Sequence, residues 1–436
     1  MKRLSKQIKR ALILTALSCA SVCIMPNILC DVMPVCTASE VSASDEERII
    51  QELQQKAEAG DIEAQYKLGK YYYYGTFVEK DYGKAVYWYT KAAEQGDVAA
   101  QISLAEYYDR RDISPQDDKM IIYWYTKAAE QNNFKAQYQL ADYYFHSKYH
   151  SNNKQSLEKA VYWYQKAAEQ GYSLAQYNLG SCYEKGVGVK QDYKQAIYWY
   201  TKSAEQFYYE ACESLARCYS LGIGVEKDEA KSAYWDNLIA EHGFFSAQYR
   251  MAMRYCFGKG VKQDYKKAVY WLNKSADCGY WPAQRDLGLC YYNGHGVEQD
   301  YKHAVYWWQK AADLGDAKAQ NNLGVCYYNG HGVEQDYSKS FDLWQKSAYQ
   351  NIDRAQYHLG DCYMLGHGVD KDEAKAVEWY AKSAEQGDKD AQYALALCYQ
   401  NGTGIAKDDS QAKYWLTKAA EQGHEPAKEA LSKMNE

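Results

Sequence analysis

Residues 175–206 read AQYNLGSCYEKGVGVKQDYKQAIYWYTKSAEQ, and variants of this unit fill most of the 436-residue chain. Recurrence of one unit at a fixed period is the signature of a repeat protein. Ala-Gln opens nine of the units and Ala211-Cys212 opens the remaining one. Successive units start 36 residues apart, except for one step of 39, at residues 64, 100, 136, 175, 211, 247, 283, 319, 355 and 391.

The first half of each unit predicts a helix with one buried face. If the alanine is counted as position 1, position 5 is leucine in every unit except one, which has Met251, and position 9 is always tyrosine. Residues at i, i+4 and i+8 lie on one face of a helix. Most units continue with Gly-x-Gly-Val, as at Gly186 and Gly188. A glycine just past a helix end adopts the left-handed backbone that terminates the helix.

The second half of each unit predicts another helix, opened by an aspartate whose side chain accepts a backbone N–H of the first turn. In the first unit, Ala85, Trp88 and Ala92 are separated by three and four residues, which again gives one buried face. The predicted N-caps are Asp81, Asp117, Asp192, Asp228, Asp264, Asp300, Asp336, Asp372 and Asp408, with Ser156 in the third unit.

A single helix pair cannot bury both of its faces, whereas stacked pairs can. We therefore predict an all-α superhelix, or solenoid, of about ten 36-residue helix-turn-helix repeats, forming one domain over residues 44–436. Capping helices are expected at both ends, the C-terminal one over residues 427–436. The formal charge of −6 argues against nucleic acid as a partner, because phosphate binding requires clustered basic residues.

Residues 1–43 are predicted to be a signal peptide. Basic residues occur repeatedly between Lys2 and Arg10, and an apolar run follows from Ala11 to about Met25, which is the layout of a secretory signal. The alternative is an uncleaved membrane anchor, although Pro26 interrupts the run before it reaches the ~20 residues that a membrane span needs. We expect export to the periplasm or the cell exterior, with no membrane span in the mature chain.

The pattern Ala-Gln-x-x-Leu-Gly-x-x-Tyr-x-x-Gly-x-Gly-Val, followed by Asp-x-x-Lys-Ala-x-x-Trp-Tyr-x-Lys-Ala-Ala, resembles the Sel-one-like repeat (SLR) family, which is kin to the tetratricopeptide repeats. The resemblance covers about residues 64–426. It implies a scaffold for protein complexes, and bacterial members are often secreted or periplasmic and act in envelope signalling or host interaction. The unit at Ala100 lacks the Gly-x-Gly motif, and the unit at Ala136 has a longer loop without glycine.

The relationship to tetratricopeptide stacks implies that the first helices line a concave groove, with positions 3, 7, 10 and 11 on its wall. Tyrosine is frequent at positions 3 and 10, and exposed tyrosines are common binding anchors. The same side chains could instead pack on neighbouring helices. The partner groove implied in this way contains Tyr66, Tyr73, Tyr138, Tyr177, Tyr249, Tyr292, Tyr328, Tyr357 and Tyr393.

Candidate chemistry is sparse. Six units place one cysteine at position 8 of the buried face, and helices stacked ~8–10 Å apart suit neither disulfides nor a zinc site. Ser156 and Lys159 spell the Ser-x-x-Lys of β-lactamases, but they occupy the ordinary positions of the N-cap and of the lysine in Lys-Ala. His295, His331 and His367 share a loop position, where exposed residues are expected rather than metal ligands. We expect no catalytic residue, cofactor or metal ion.

The leading interpretation is a monomeric, exported scaffold or adaptor that binds a protein or peptide partner in its groove. One alternative is an enzyme that binds or hydrolyses β-lactams, as implied by a cysteine-rich SLR branch that has two bridged cysteines per repeat. Another is a peptidoglycan or glycan binder, since stacked tyrosines can bind sugar rings.

Overall fold

A computed structural model describes residues 43–110, 114–147 and 149–435, so the predicted signal peptide lies, except for Ala43, outside the described residues. Among the described helices, none is both long and apolar enough to cross a membrane.

The described residues form 22 helices, which we number in chain order. They are α1 (Ala43–Glu58), α2 (Ile62–Tyr74), α3 (Tyr82–Glu94), α4 (Val98–Asp109), α5 (Pro115–Glu130), α6 (Phe134–His146), α7 (Lys154–Glu169), α8 (Ser173–Lys185), α9 (Tyr193–Ala204), α10 (Tyr209–Leu221), α11 (Glu229–Glu241), α12 (Phe245–Phe257), α13 (Tyr265–Asp277), α14 (Trp281–Asn293), α15 (Tyr301–Asp313), α16 (Ala317–Asn329), α17 (Tyr337–Tyr349), α18 (Asp353–Leu365), α19 (Glu373–Glu385), α20 (Lys389–Asn401), α21 (Asp409–Glu421) and α22 (Glu425–Asn435).

Repeats 1 to 10 are the successive helix pairs from α2–α3 to α20–α21, and α1 and α22 flank them. The described residues divide into two compact units, one ending at Gln131 and the other beginning at Asn132. Within each unit every helix packs against the next one in the chain, which is the all-α solenoid predicted from the repeat. The prediction of one continuous array over residues 44–436 concerns the junction of the two units and stays a prediction.

The core of each repeat is built from the predicted positions. The alanine at position 1 and the leucine or methionine at position 5 are at most 3% exposed in all ten repeats. The small alanine allows the second helix of the preceding repeat to approach closely, and the larger side chain fills the space between the helices of a pair.

Eight of the predicted aspartate N-caps are confirmed. In repeat 1, for example, Asp81 accepts the backbone N–H of Lys84 at 3.0 Å. The prediction was wrong in repeats 2 and 3. Asp117 lies inside α5, where Ser114 is the N-cap and exchanges hydrogen bonds with it in a capping box. Ser156 lies in the first turn of α7, where Asn153 is the N-cap.

A buried glutamine, the second residue of the Ala-Gln pair, connects three helices. In repeat 4, Nε2 of Gln176 donates to the carbonyl of Ala168, at the end of the preceding second helix, at 3.1 Å. Oε1 of Gln176 accepts from Nε2 of Gln206, at the end of the second helix of the same repeat, at 2.8 Å. We call this arrangement the glutamine bridge. The second contact recurs between the pairs Gln95–Gln65, Gln131–Gln101, Gln170–Gln137, Gln350–Gln320, Gln386–Gln356 and Gln422–Gln392.

The bridge is absent from repeat 5, where Cys212 replaces the glutamine, and it is incomplete in repeats 6 and 7. Gln248 and Gln284 still donate to the carbonyls of Ala240 and Ala276. Their Oε1 atoms, however, are buried and have no hydrogen-bond partner among the described residues. The position of the donating glutamine is occupied by Cys278 in repeat 6 and by Leu314 in repeat 7, and neither side chain can replace an amide N–H.

All nine cysteines of the described part are free thiols. The six at position 8 are at most 8% exposed, which confirms their predicted burial. Burial raises the pKa of Cys182, Cys326 and Cys362 to about 12, so these thiols stay protonated at neutral pH. Cys278, at the end of α13, is the one described cysteine that is exposed.

We expect Cys278→Gln to stabilise repeat 6 by about 0.5–1.5 kcal/mol, because it supplies the missing donor to Gln248. Native-state hydrogen exchange of the amides in α12 and α13 measures the gain. Cys278→Ala is the control, since it removes the thiol without adding a donor. Equal protection in the two variants would contradict this account of the orphaned acceptor.

Thiol labelling of the native chain should modify Cys278 and leave the six position-8 thiols unmodified, because a buried, protonated thiol is neither accessible nor nucleophilic. Denaturation without reductant should then release at least the six position-8 thiols. Cys278→Ala should abolish the rapid native reaction. Few released thiols after denaturation would instead mean that the cysteines are bridged.

Candidate functional site

All nine tyrosines of the predicted groove are partly buried rather than fully exposed. At position 3, Tyr177 packs on Tyr200 of the second helix in the same repeat, with ring centroids 5.7 Å apart. Tyr66, Tyr138 and Tyr357 face the equivalent residues Tyr89, Tyr164 and Tyr380 at 5.8–5.9 Å. The packing alternative therefore holds for these residues, and their partly exposed surface is what remains for a partner.

The other predicted groove tyrosines also have neighbours in the fold. Tyr73 accepts a hydrogen bond from Arg110 at 2.8 Å, and Tyr249 donates one to Asp286 of the next repeat at 2.8 Å. The ring of Tyr393 lies 4.7 Å from that of His424.

All three loop histidines stack on a tyrosine of the preceding repeat, and two of them are half-buried there, contrary to the expectation that all three are simply exposed. The ring of His331 stacks on Tyr301 at 4.7 Å, and its Nδ1 lies 3.1 Å from the hydroxyl of Tyr292. His367 makes the same two contacts with Tyr337 and Tyr328. His295 is exposed, as expected, although its ring also stacks on Tyr265, with the centroids 5.6 Å apart. Among the described residues, no three His, Cys, Asp or Glu side chains are grouped so that they could hold a metal ion.

Ser156 and Lys159 do not form a reactive pair. Ser156 is buried and its hydroxyl lies 3.2 Å from Nδ1 of His150. The ammonium group of Lys159 lies over the ring of Tyr144, 5.5 Å from its centroid. Ser156 and Lys159 thus contact different residues, His150 and Tyr144.

A cleft of about 570 Å³ opens between the first helices of repeats 4, 5 and 6, all within residues 132–436. In repeats 4 and 5 it is lined by positions 3, 7, 10 and 11, the four positions predicted for the groove wall. These are Tyr177, Ser181, Glu184 and Lys185 in repeat 4, and Glu213, Arg217, Ser220 and Leu221 in repeat 5. Tyr177 is the only one of the nine predicted groove tyrosines among the lining residues.

The cleft contains a buried ionic network centred on Asp236 of α11, whose side chain is 2% exposed. One carboxylate oxygen accepts from Nε of Arg250 and the other from Nε of Arg254, both at 2.7 Å. Arg250 also donates to Glu213 at 2.8 Å. Such charge-assisted hydrogen bonds offset the cost of burying Asp236 only while both arginines stay in place.

A second ionic cluster lies beside it, around Glu184. Its carboxylate accepts from Nη2 of Arg217 at 2.6 and 2.8 Å and from the hydroxyl of Tyr200 at 2.7 Å. Burial, followed by the charge and hydrogen bond of Glu184, raises the pKa of Tyr200, so the phenol stays protonated and remains a donor.

The ionic network departs from the repeat pattern at two columns. The position of Asp236 is large and buried in every other repeat: Tyr89, Tyr125, Tyr164, Tyr200, Leu272, Trp308, Trp344, Tyr380 and Leu416. The position of Arg254 is tyrosine or cysteine in every other repeat. A functional site is expected where a polar residue replaces the apolar or aromatic residues found at the same position of the other repeats. Asp236 and Arg254 are two such replacements, and the search for motifs in the sequence did not identify them.

An apolar surface adjoins the cleft. Leu221 lines it and is 66% exposed, and Phe257, at the same position of the next repeat, is 69% exposed. Tyr74 and Leu365 are exposed to a similar degree at the same position of repeats 1 and 9, so what distinguishes Leu221 is its place in the lining of the cleft.

A second set of exposed tyrosines lies on the second helices, each directly before the tryptophan position. Asp342 and Glu378 take this place in repeats 8 and 9, so the fold itself does not require an aromatic ring there. The sequence analysis did not single out this set. It comprises Tyr87, Tyr123, Tyr162, Tyr198, Tyr234, Tyr270, Tyr306 and Tyr414, each 50–61% exposed.

Comparison with known proteins finds the same unit. A family model described as the Sel1 repeat matches ten segments that together cover residues 62–206 and 210–424. The chain is similar to a protective antigen of uropathogenic Escherichia coli with an SLR fold, at 33% identity over 88% of this chain and 91% of that one, with a TM-score of 0.47. It is also similar to a Sel1 repeat protein from Oxalobacter formigenes, at 30% identity over 72% and 90% of the two chains, with a TM-score of 0.61. No curated protein matches the chain significantly.

Asp236→Ala should destabilise the chain by about 3–5 kcal/mol, because it leaves the guanidinium groups of Arg250 and Arg254 without their buried counterion. The double variant Asp236→Leu/Arg254→Cys copies the Leu272 and Cys290 of the next repeat and should recover that loss. Urea unfolding of the three proteins measures both effects. If the double variant were as unstable as Asp236→Ala, the network would be a requirement of the fold rather than a feature added to it.

Proposed function

This chain belongs to the Sel1 repeat family, and from that premise we propose that it is a non-enzymatic, exported scaffold that binds a protein or peptide partner in the cleft of repeats 4 to 6. Repeat solenoids mediate protein interactions by presenting an extended surface of side chains on a rigid stack. The family membership supports the interaction role, and the cleft supports its location.

The observation that carries the location is the composition of the cleft. It combines arginines, tyrosines and an exposed leucine, and tyrosine and arginine are the residues most enriched at binding hot spots. The lining side chains come from three consecutive repeats, so their relative positions are set by helix packing rather than by mobile loops.

Export is part of the proposal and rests on the sequence of residues 1–43, with its basic start and apolar run. An envelope or extracellular partner follows from it, in signalling or in host interaction.

The β-lactam alternative has less support. The resemblance to the cysteine-rich branch requires two bridged cysteines in each repeat, whereas the nine described cysteines are free.

Photocrosslinking in intact cells tests the proposal. A photoreactive phenylalanine analogue at Leu221 should crosslink one reproducible protein partner. The same analogue at Leu314, which is 61% exposed at the end of α15, is the matched control and should give none. Crosslinks of equal yield and identity at the two positions, or none at Leu221, would contradict a partner site in this cleft.

A further inference from the structure

We propose that the cleft of repeats 4 to 6 recognises an acidic and apolar peptide segment, with a carboxylate side chain against Lys185 and Arg217 and a neighbouring apolar side chain against Leu221 and Phe257. This inference rests on the proposed function and names the chemistry of its partner.

Three of the four carboxylates that line the cleft already have donors from arginine or tyrosine side chains. Asp236 accepts from two arginines, and Glu213 accepts from Arg250. Glu184 accepts from Arg217 and Tyr200. A cationic partner would have to displace these hydrogen bonds. All of them are short and have an ionised carboxylate as the acceptor, which makes them strong.

Donors, in contrast, remain available. Arg217 uses only Nη2 in its contact with Glu184, and its side chain is 43% exposed. Lys185 is exposed and has no ion pair within residues 149–435. Arg250 also lines the cleft, and its Nη2 is buried without a hydrogen-bond partner among the described residues. These N–H groups without an acceptor favour a ligand that brings a carboxylate.

The apolar contact follows from helix geometry. Leu221 comes four residues after Arg217 on α10, so the two side chains lie next to each other on one face of the helix. Phe257 repeats the position of Leu221 in repeat 6. A segment that places its carboxylate on Arg217 therefore has its adjoining residue within reach of Leu221, and Phe257 offers the next apolar side chain one repeat farther along the stack.

A dense polyanion fits this surface poorly. Glu184, Glu210, Glu213 and Asp236 all line the cleft and would repel a phosphate chain or an anionic bilayer. A single carboxylate flanked by apolar side chains meets the free donors without meeting all four acids.

The probe is a displayed library of random twelve-residue peptides, held between fixed flanks so that no free terminus is presented, and selected on the full chain. Enriched peptides should carry Asp or Glu within four residues of Leu, Ile, Met or Phe. Lys185→Ala/Arg217→Ala should weaken an enriched peptide about tenfold or more. The control Lys194→Ala/Lys202→Ala removes the same charge from α9, outside the cleft, and should leave its affinity unchanged.

Arg217→Ala also leaves Glu184 without its arginine partner. A further variant therefore separates direct contact of Arg217 with the peptide from neutralisation of Glu184 by Arg217. Arg217→Ala/Glu184→Gln removes the repulsive carboxylate, and binding should remain weak if Arg217 itself contacts the peptide. Full recovery of binding in that variant would overturn the role of Arg217.

Two other outcomes have distinct meanings. Enriched peptides without acidic residues, whose binding is lost on Leu221→Ser, would overturn this inference and leave the proposed function standing. Selection of no peptide that depends on Leu221, Phe257 or Arg217 would count against both.

Discussion

The glutamine bridge is the interaction on which the stacking of this protein depends. Each complete bridge uses one buried side chain to satisfy a carbonyl at the end of the preceding second helix and to hold the end of its own second helix. The carbonyls at a helix end have no partner inside the helix, so a neighbour that supplies an N–H both terminates the helix and fixes the next one against it. Packing of alanine and leucine supplies most of the stabilisation, but it does not fix the register between helices, because apolar contacts are not directional. Where the bridge is complete, as in repeats 4 and 8 to 10, its hydrogen bonds supply that direction.

Much of the fold could be predicted from the sequence because one pattern of buried and helix-capping positions recurs, with few changes, in ten repeats. The alanines equivalent to Ala64 and the leucines equivalent to Leu68 indicate the buried face of the first helix in each repeat. The aspartates equivalent to Asp81 indicate where the second helix begins. The predictions that failed lie where the pattern changes. In repeat 2, Ser114 and Pro115 open the helix three residues before the aspartate, and a capping box with a proline in the first turn is the stronger start. In repeat 3, Asn153 takes that role within the longer loop.

The candidate site could be predicted only in part. The four groove positions line a cleft in repeats 4 and 5, but the tyrosines expected to dominate it are partly occupied by neighbours in the fold. The spacing of residues in the sequence predicts which face of a helix carries a side chain. How much of that side chain stays exposed depends on its contacts with the next repeat, as the hydrogen bond from Tyr249 to Asp286 illustrates. Asp236 and Arg254 were visible in the sequence as departures from their columns. Their meaning required the structure, because they lie in different repeats and meet only through helix packing.

The recurrence of the complete bridge in repeats 8 to 10 has a consequence for how the gene can change. Residues 290–301 and 326–337 have the same sequence, CYYNGHGVEQDY, in repeats 7 and 8. Unequal recombination acts on DNA, and wherever the codons of these segments match as their residues do, it removes or adds one whole unit. Because the alanine carbonyl at the end of one unit is equivalent to that of the next, the new junction would meet the same hydrogen-bond donor as the old one. The array can thus be lengthened or shortened in its C-terminal half while the ionic cleft of repeats 4 to 6 is inherited intact.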